Sequence, residues 1–525
     1  MASSNHPSSH NVPPPLSHNP ICYLGWAVVI TSSTLLAVLA VMGIFFYRDN
    51  PYNSLVTYLI LPGFLGLGVV LIFAGILLEW RRRHKAAPVQ YPPLPVVDIN
   101  VAWLRRRVVL GLVLLTLFFS LSAIGTYQAY HFTESTVFCG RICHQVMRPE
   151  YTAYHYSPHA RVACTECHIG PGASWFVKSK LSGLYQVWAV LTHSYHLPIE
   201  TPIKNLRPAR QTCEECHWPD KFSSSMEKVV WHFAPDQVNT PYRYNMLLKV
   251  GGGSPEIGLG HGIHWHINPT VKVRYWPRDF KRLDIPWVEV TQGDSPPRVY
   301  RSPDGPDPLP QDAQIRTMDC MDCHNRPSHI YRSPIELIDD SMGRGILDAS
   351  LPYLKRYATE ALERTYPDTP TALSTIAIRL GEKYQDWQRG ESGKTLVENN
   401  VKLLQTLYQR NFFPEQKVSW AEYPNHIGHY EFPGCFRCHN DRHQSSDGRK
   451  ISNDCSLCHE FLDQAEGQAA YGPVIYKIGP YRHPLNMPEV WKGHNCTDCH
   501  GPNAPEAAKK IRPNQIAAAL PASHP

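Results

Sequence analysis

Three uncharged apolar runs occupy the first quarter of the chain: Ile21 to Tyr47 (broken near its end by no charge), Ser54 to Leu78 and Val108 to Tyr130. Each is longer than the roughly 18 to 20 residues a helix needs to cross a bilayer. The pattern predicts three spanning helices, not the short buried helices of a soluble core. Between the second and third runs lie Arg81, Arg82, Arg83, Lys85, Arg105, Arg106 and Arg107, whereas the loop after the first offers Arg48 beside Asp49 and Asn50. The basic loop is therefore expected on the cytoplasmic side, with the N-terminus inside and everything after Tyr130 outside. Residues 1 to 20 contain no Lys or Arg and the first run is too long for an h-region, so no cleavable signal is expected.

The remaining pattern divides the chain further. Residues 1–20 read as a disordered tail, 21–80 as a membrane hairpin, 81–107 as the basic loop and 108–131 as the third span. Within 218–319, Lys272 to Trp276 and Trp287 to Thr291 are β-branched and aromatic between Pro and Gly breaks, which predicts short strands in a β-rich insertion. Residues 333–422 read as a helical spacer. Ser333-Pro334-Ile-Glu336 has the form of a helix cap, and Leu351, Leu354, Ala358 and Leu362 recur at helical spacing. Thr369-Pro370 starts another helix, and Val401, Leu404 and Tyr408 continue the signal. With 47 Pro and 33 Gly in 525 residues, much of the rest is expected to be loop. The net charge of +6 is modest and not gathered into one stripe, so no nucleic-acid partner is expected.

The cysteines change the picture. Six Cys-x-x-Cys-His strings and one Cys-x-x-x-Cys-His take fourteen of the 15 cysteines, against roughly 0.02 of the shorter strings expected at random. In chain order the motifs are Cys139/Cys143/His144, Cys164/Cys167/His168, Cys213/Cys216/His217, Cys320/Cys323/His324, Cys435/Cys438/His439, Cys455/Cys458/His459 and Cys496/Cys499/His500. Two thiols at this spacing reach the two vinyl groups of one porphyrin, and the adjoining histidine ligates its iron. Seven covalent haems follow. Zinc sites do not need a histidine after every second cysteine, and disulfides inside the motifs would not cross-link the fold. The leftover Cys22 reads as an ordinary apolar residue.

Motif 1 carries one extra residue between its thiols, which must bulge. Met147 either competes as a ligand to haem 1 or packs against the ring. Low-spin haems need second ligands, and the histidines outside the motifs outnumber the positions. In Gly260-His261-Gly-Ile-His264-Trp-His266, i and i+2 on an extended chain share a face; one of the three, with His266 favoured, is expected to reach haem 2. His426, His429, His443, His483 and His494 compete for the three C-terminal haems of 423–525, and His429, His443 and His483 are favoured.

From the third helix to about Tyr331, the chain resembles the NapC/NirT family of membrane-anchored periplasmic cytochromes. The likeness rests on Phe138-Cys139 to Met147, Ser157-Pro158-His159, Cys164-Thr-Glu-Cys167-His168, Trp175 to Lys180, Cys213 to His217 and Cys320-Met-Asp-Cys323-His324-Asn-Arg-Pro-Ser-His329. The resemblance implies haems 1–3 in 132–217 and haem 4 in 320–332, with His159 the distal ligand of haem 4 and His329 that of haem 3. It also implies quinol oxidation, with Lys178 and Lys180 in the segment where the family carries a functional lysine. The chain departs from the family in motif 1 spacing, in the position of Met147 and in the lack of any Asp or Glu between Ile169 and Ile199. Glu134, Glu166 and His155 are the alternatives for that acidic partner.

The expected fold is therefore a membrane-anchored multihaem cytochrome c: three transmembrane helices, then a periplasmic, mostly α or irregular, haem-packed region with a small β insertion. The expected function is electron transfer from membrane quinol to periplasmic c-type cytochromes, a quinol dehydrogenase of the cytoplasmic membrane. Two other classes stay open: a terminal reductase of nitrite or hydroxylamine, and an electron-relay subunit of a larger membrane complex.

Overall fold

The computed structural model describes residues 15–45, 61–85, 100–142, 144–170, 172–203, 206–252, 262–484, 494–502 and 504. The expected disordered tail falls largely outside these residues, as do Cys143, His261 and most of the basic loop. The chain divides into two compact units, residues 1–133 with 169–185, and residues 134–168 with 186–525.

In the first unit the three apolar runs form helices α1 (Pro20–Phe45), α2 (Leu61–Lys85) and α3 (Ala102–Thr133). α1 and α2 make an antiparallel hairpin along a seam of small residues. A Cβ on Gly25 would collide with Ile72, and one on Gly68 would collide with Val29. Small residues let two backbones approach this closely. Cys22 is fully buried in the seam, its thiol donating to the Ile72 carbonyl at 3.3 Å. The outer faces are apolar and exposed, Phe73 on α2 and Phe118 on α3 among them. Among the described residues, two helices are long and apolar enough to cross a membrane, Pro20–Ala37 and Leu61–His84, where three were expected. The third run does form a helix, 32 residues long, but several of its side chains within the apolar stretch lie outside the described residues.

In the second unit, α4 (His144–His155) and α5 (Cys164–His168) follow motif 1. Helix α6 (Ala173–Thr192) comes next in the chain, its residues through Tyr185 counted in the first unit, and α7 (Ala209–Cys213) follows in the second. Six strands precede motif 4: β1 (Met226–Phe233), β2 (Pro241–Leu248), β3 (Val271–Trp276), β4 (Trp287–Gln292), β5 (Arg298–Arg301) and β6 (Arg316–Thr317). Helix α8 (Cys320–Cys323) is motif 4 itself. Then come α9 (Pro334–Gly343), α10 (Leu354–Glu363), α11 (Thr369–Lys383) and α12 (Glu391–Asn411), followed by β7 (Gln444–Ser445), β8 (His459–Glu466) and α13 (Cys496–His500).

The strands β3 and β4 form where alternation predicted them. The β structure is not confined to the insertion, however. One antiparallel sheet has the order β1-β2-β8 and the other β6-β3-β4-β5-β7, so strands from the C-terminal motif region complete both. The expected mostly α or irregular region is thus a mixed one, because short strands of the insertion leave open edges that distant segments pair with.

Helices α9 to α12 carry a core of their own, with Ile338, Leu351, Leu354, Ala358, Leu362, Ile376, Leu380 and Leu404 at most 1% exposed. Ser333 caps α9 as its sequence predicts, its Oγ accepting from the Glu336 amide at 3.0 Å. Helix α11 starts at Thr369-Pro370, where the sequence predicted it, and Asp368 caps it; its carboxylate accepts from the Thr371 amide at 2.7 Å. This packed layer needs no cofactor to fill it.

Candidate haem sites

Motifs 2 to 7 each hold their two thiols on a single tight turn. Motif 4 is one helical turn closed by a reciprocal cap between Asp319 and Asp322, and motif 7 has the same device in Asn495 and Asp498. Asp322 is 1% exposed and also accepts from the Arg282 guanidinium at 2.7 Å and from the Tyr275 hydroxyl, which fixes motif 4 against β3. Motif 1 contains the bulge that its extra residue requires: Phe138–Ile142 forms a π-helical turn. Gly140 is buried there, and any Cβ on it would strike the Tyr151 ring.

The motif histidines are met by others from far along the chain. His168 faces His329 with ring centroids 6.3 Å apart, and His217 faces His159 at 6.2 Å. His324 faces His264 at 6.2 Å and His439 faces His266 at 5.8 Å. His459 faces His429 and His500 faces His483, both at 6.2 Å. Two imidazoles bound on opposite sides of a metal at about 2.0 Å have their centroids roughly 6 Å apart. The six pairs therefore fit the axial positions of a haem iron.

Hydrogen bonds at the other ring nitrogen support this. Nδ1 lies 2.7 Å from the Val250 carbonyl in His264, 2.8 Å from Ile263 in His266, 3.0 Å from Glu150 in His329, 3.3 Å from Pro327 in His159 and 2.9 Å from Ser452 in His439. A proton held on Nδ1 by a carbonyl leaves Nε2 bare for a metal. Burial pushes His266, His329, His429 and His500 down to about 4, so these rings are neutral, the form that ligates.

Several expectations change here. His159 meets the histidine of motif 3, not motif 4, and His329 that of motif 2, not motif 3. His266 meets motif 5 rather than haem 2, and His264 meets motif 4. The extended-chain reading failed because Ile263–Ile267 is a 3-10 turn, in which residues two apart point about 120° away from each other, toward different partners. Among the described residues, His443 is not aligned with a motif histidine: it is 1% exposed, its Nε2 donates to the Ile285 carbonyl at 2.7 Å, and its Nδ1 lies 3.0 Å from Asn440 Oδ1. His429 and His483 each lie opposite a C-terminal motif histidine, His459 and His500. His494 pairs with Asp498. His144 begins α4, with Met147 half-buried one turn on, but the His144 side chain lies outside the described residues. Lys178 and Lys180 are both on α6, where Lys178 Nζ sits 4.5 Å over the Trp175 ring.

Residues 103–204 match the NapC/NirT cytochrome c family, N-terminal region. The cytochrome c-type protein ImcH of Geobacter sulfurreducens is 44% identical over 496 residues, which cover 93% of this chain and 96% of that protein. The chain belongs to the NapC/NirT cytochrome c family. No solved structure matches it. As a c-type cytochrome of this family it is an electron-transfer protein with covalently bound haem. The signal for the imidazole pairs lay in the sequence as surplus histidines, without the partners.

Proposed function

We propose that this cytochrome oxidises quinol of the cytoplasmic membrane and passes the electrons through seven covalent haems to periplasmic c-type cytochromes. The observation that carries the reading is the set of six facing imidazole pairs on a chain whose N-terminal helices are apolar on their outer faces. Quinol gives up two electrons and two protons to become quinone. Haem supplies one-electron ferric/ferrous chemistry when bound. The fourteen motif cysteines hold the seven groups, and α1, α2 and α3 are proposed to cross the bilayer with the basic loop on the cytoplasmic side and the haem region outside.

Lys178 and Lys180 are proposed as the groups that hydrogen-bond the quinol oxygen and assist its deprotonation. Two residues apart on a helix, they project about 200° from each other, so a single head group engages one of them. At motifs 2 to 7 the facing imidazoles would hold each iron from both sides, which argues against a terminal reductase at those sites, since that chemistry would need one face open. Motif 1 is proposed as the place where electrons enter, with Met147 near its iron.

The test is anaerobic reduction of the purified protein by a menaquinol in lipid nanodiscs, with haem counted by pyridine haemochrome and intact mass. Seven haems per chain, reduced by quinol, are expected. Reduction by dithionite but not by quinol overturns the quinol reading, and a count of six overturns motif 1 as a haem site.

A further inference from the structure

The thiols of the seven motifs meet in chain order. Cys139 of motif 1 is hydrogen-bonded to Cys164 of motif 2. Cys167 of motif 2 lies within electrostatic reach of Cys216 of motif 3, and Cys213 of motif 3 is hydrogen-bonded to Cys320 of motif 4. Cys323 of motif 4 feels both Cys435 and Cys438 of motif 5. Cys435 in turn neighbours Cys458 of motif 6, and Cys455 of motif 6 neighbours Cys496 of motif 7. Each of these seven contacts joins consecutive motifs.

The imidazoles repeat the order at motifs 3, 4 and 5. His324 of motif 4 is neighboured by His217 and His159, the pair of motif 3, as well as by its own His264. His266 stands beside His439, its partner at motif 5, and beside His264 of the motif 4 pair. One five-residue turn, Ile263–Ile267, thus supplies the opposing histidines of both motifs 4 and 5. Between the same two motifs, Arg437 donates to the Asp322 carbonyl at 2.7 Å, and Arg437 and Asp322 each lie between the two thiols of their own motif.

From this juxtaposition we infer that the chain holds its haems in single file, in sequence order, so that electrons entering at motif 1 pass every haem and leave at motif 7. The inference rests on the reading that every motif carries haem and that quinol is the donor. Its physical basis is that thioether sulfurs sit at the porphyrin edge and electron tunnelling falls steeply with the gap between edges, so thiol contacts mark the shortest gaps. Each transfer oxidises one ferrous haem to ferric and reduces its neighbour from ferric to ferrous. The file returns to its oxidised state by reducing a ferric cytochrome at the motif 7 end.

The test uses full-length protein in nanodiscs loaded with a long-chain menaquinol, comparing wild type with the variant Cys455→Ala/Cys458→Ala, whose mass should show one haem fewer. In a file, the five haems of motifs 1 to 5 reduce at the wild-type rate, while the haem of motif 7 lags at least tenfold. Reduction of all six remaining haems together overturns the inference. The iron positions in wild-type protein, read by cryo-electron microscopy, test the order without any variant: every iron's nearest neighbours should belong to consecutive motifs, and one nearest neighbour out of order overturns it. If quinol reduces nothing in the wild type, the donor reading fails while the iron positions still decide the order.

Discussion

His264 and His324 oppose each other with their ring planes only 5° apart, although sixty residues of chain separate them. The pairs His159–His217 and His266–His439 stand nearly perpendicular instead, at 78° and 83°. Axial ligand orientation is a protein lever on haem electronics. Parallel imidazoles split the iron d orbitals into a rhombic pattern, and perpendicular ones leave them nearly degenerate. The oxidised protein should therefore show two highly anisotropic low-spin signals in electron paramagnetic resonance, from motifs 3 and 5, beside rhombic ones. His266→Gln should remove one of the two anisotropic signals, and an unchanged spectrum would sink the assignment.

His443 and His429 make a matched comparison. Replacing His429 by Gln removes the imidazole facing His459 and should give one high-spin haem. His443→Gln should leave every haem six-coordinate, because the His443 ring is already bonded through Nε2 to a backbone carbonyl. High-spin absorbance in the second variant would return His443 to the ligand set.

Burial holds His443 below the usual histidine range, and burial together with Arg437 takes His426 to about 3. For a base whose folded pKa lies below its unfolded value of about 6.5, the unfolded chain binds more protons in the window between the two. The stability these rings contribute is present above that unfolded value and is lost as pH falls below it. The apparent Tm should drop between pH 7 and pH 4.5, and less steeply in His443→Gln; equal slopes count against a buried neutral His443.

The π-helical turn of motif 1 has no room for a side chain at Gly140. Gly140→Val drives a branched side chain into the Tyr151 ring and should reduce haem loading at motif 1, seen as the loss of one haem by mass. Gly140→Ala combined with Tyr151→Ala removes the collision and should restore loading. If Gly140→Val carries all seven haems, the turn is not as tight as described.

Leu354 is fully buried in the helical layer, far in sequence from any motif. Leu354→Ala should cost about 2 to 5 kcal/mol of stability through lost burial and the cavity left behind. Calorimetry should show the lowered Tm, with the haem absorption spectrum at 25 °C unchanged.

What the sequence determined by itself is local. The spacing of two thiols and a histidine along one turn is a property of consecutive residues, so all seven motifs are legible, as are the bulge in motif 1, the cap at Ser333 and the apolar helices of the hairpin. Tertiary structure alone decided the rest. The histidine opposite each of motifs 2 to 7 comes from another segment, as His329 does for His168, and which one arrives depends on how those segments pack. The 3-10 turn at Ile263–Ile267 sent His264 and His266 to different partners, and β7 and β8 closed sheets begun more than 140 residues earlier. A contact between distant residues leaves no periodicity in the chain, because its partners are joined by packing and not by backbone geometry.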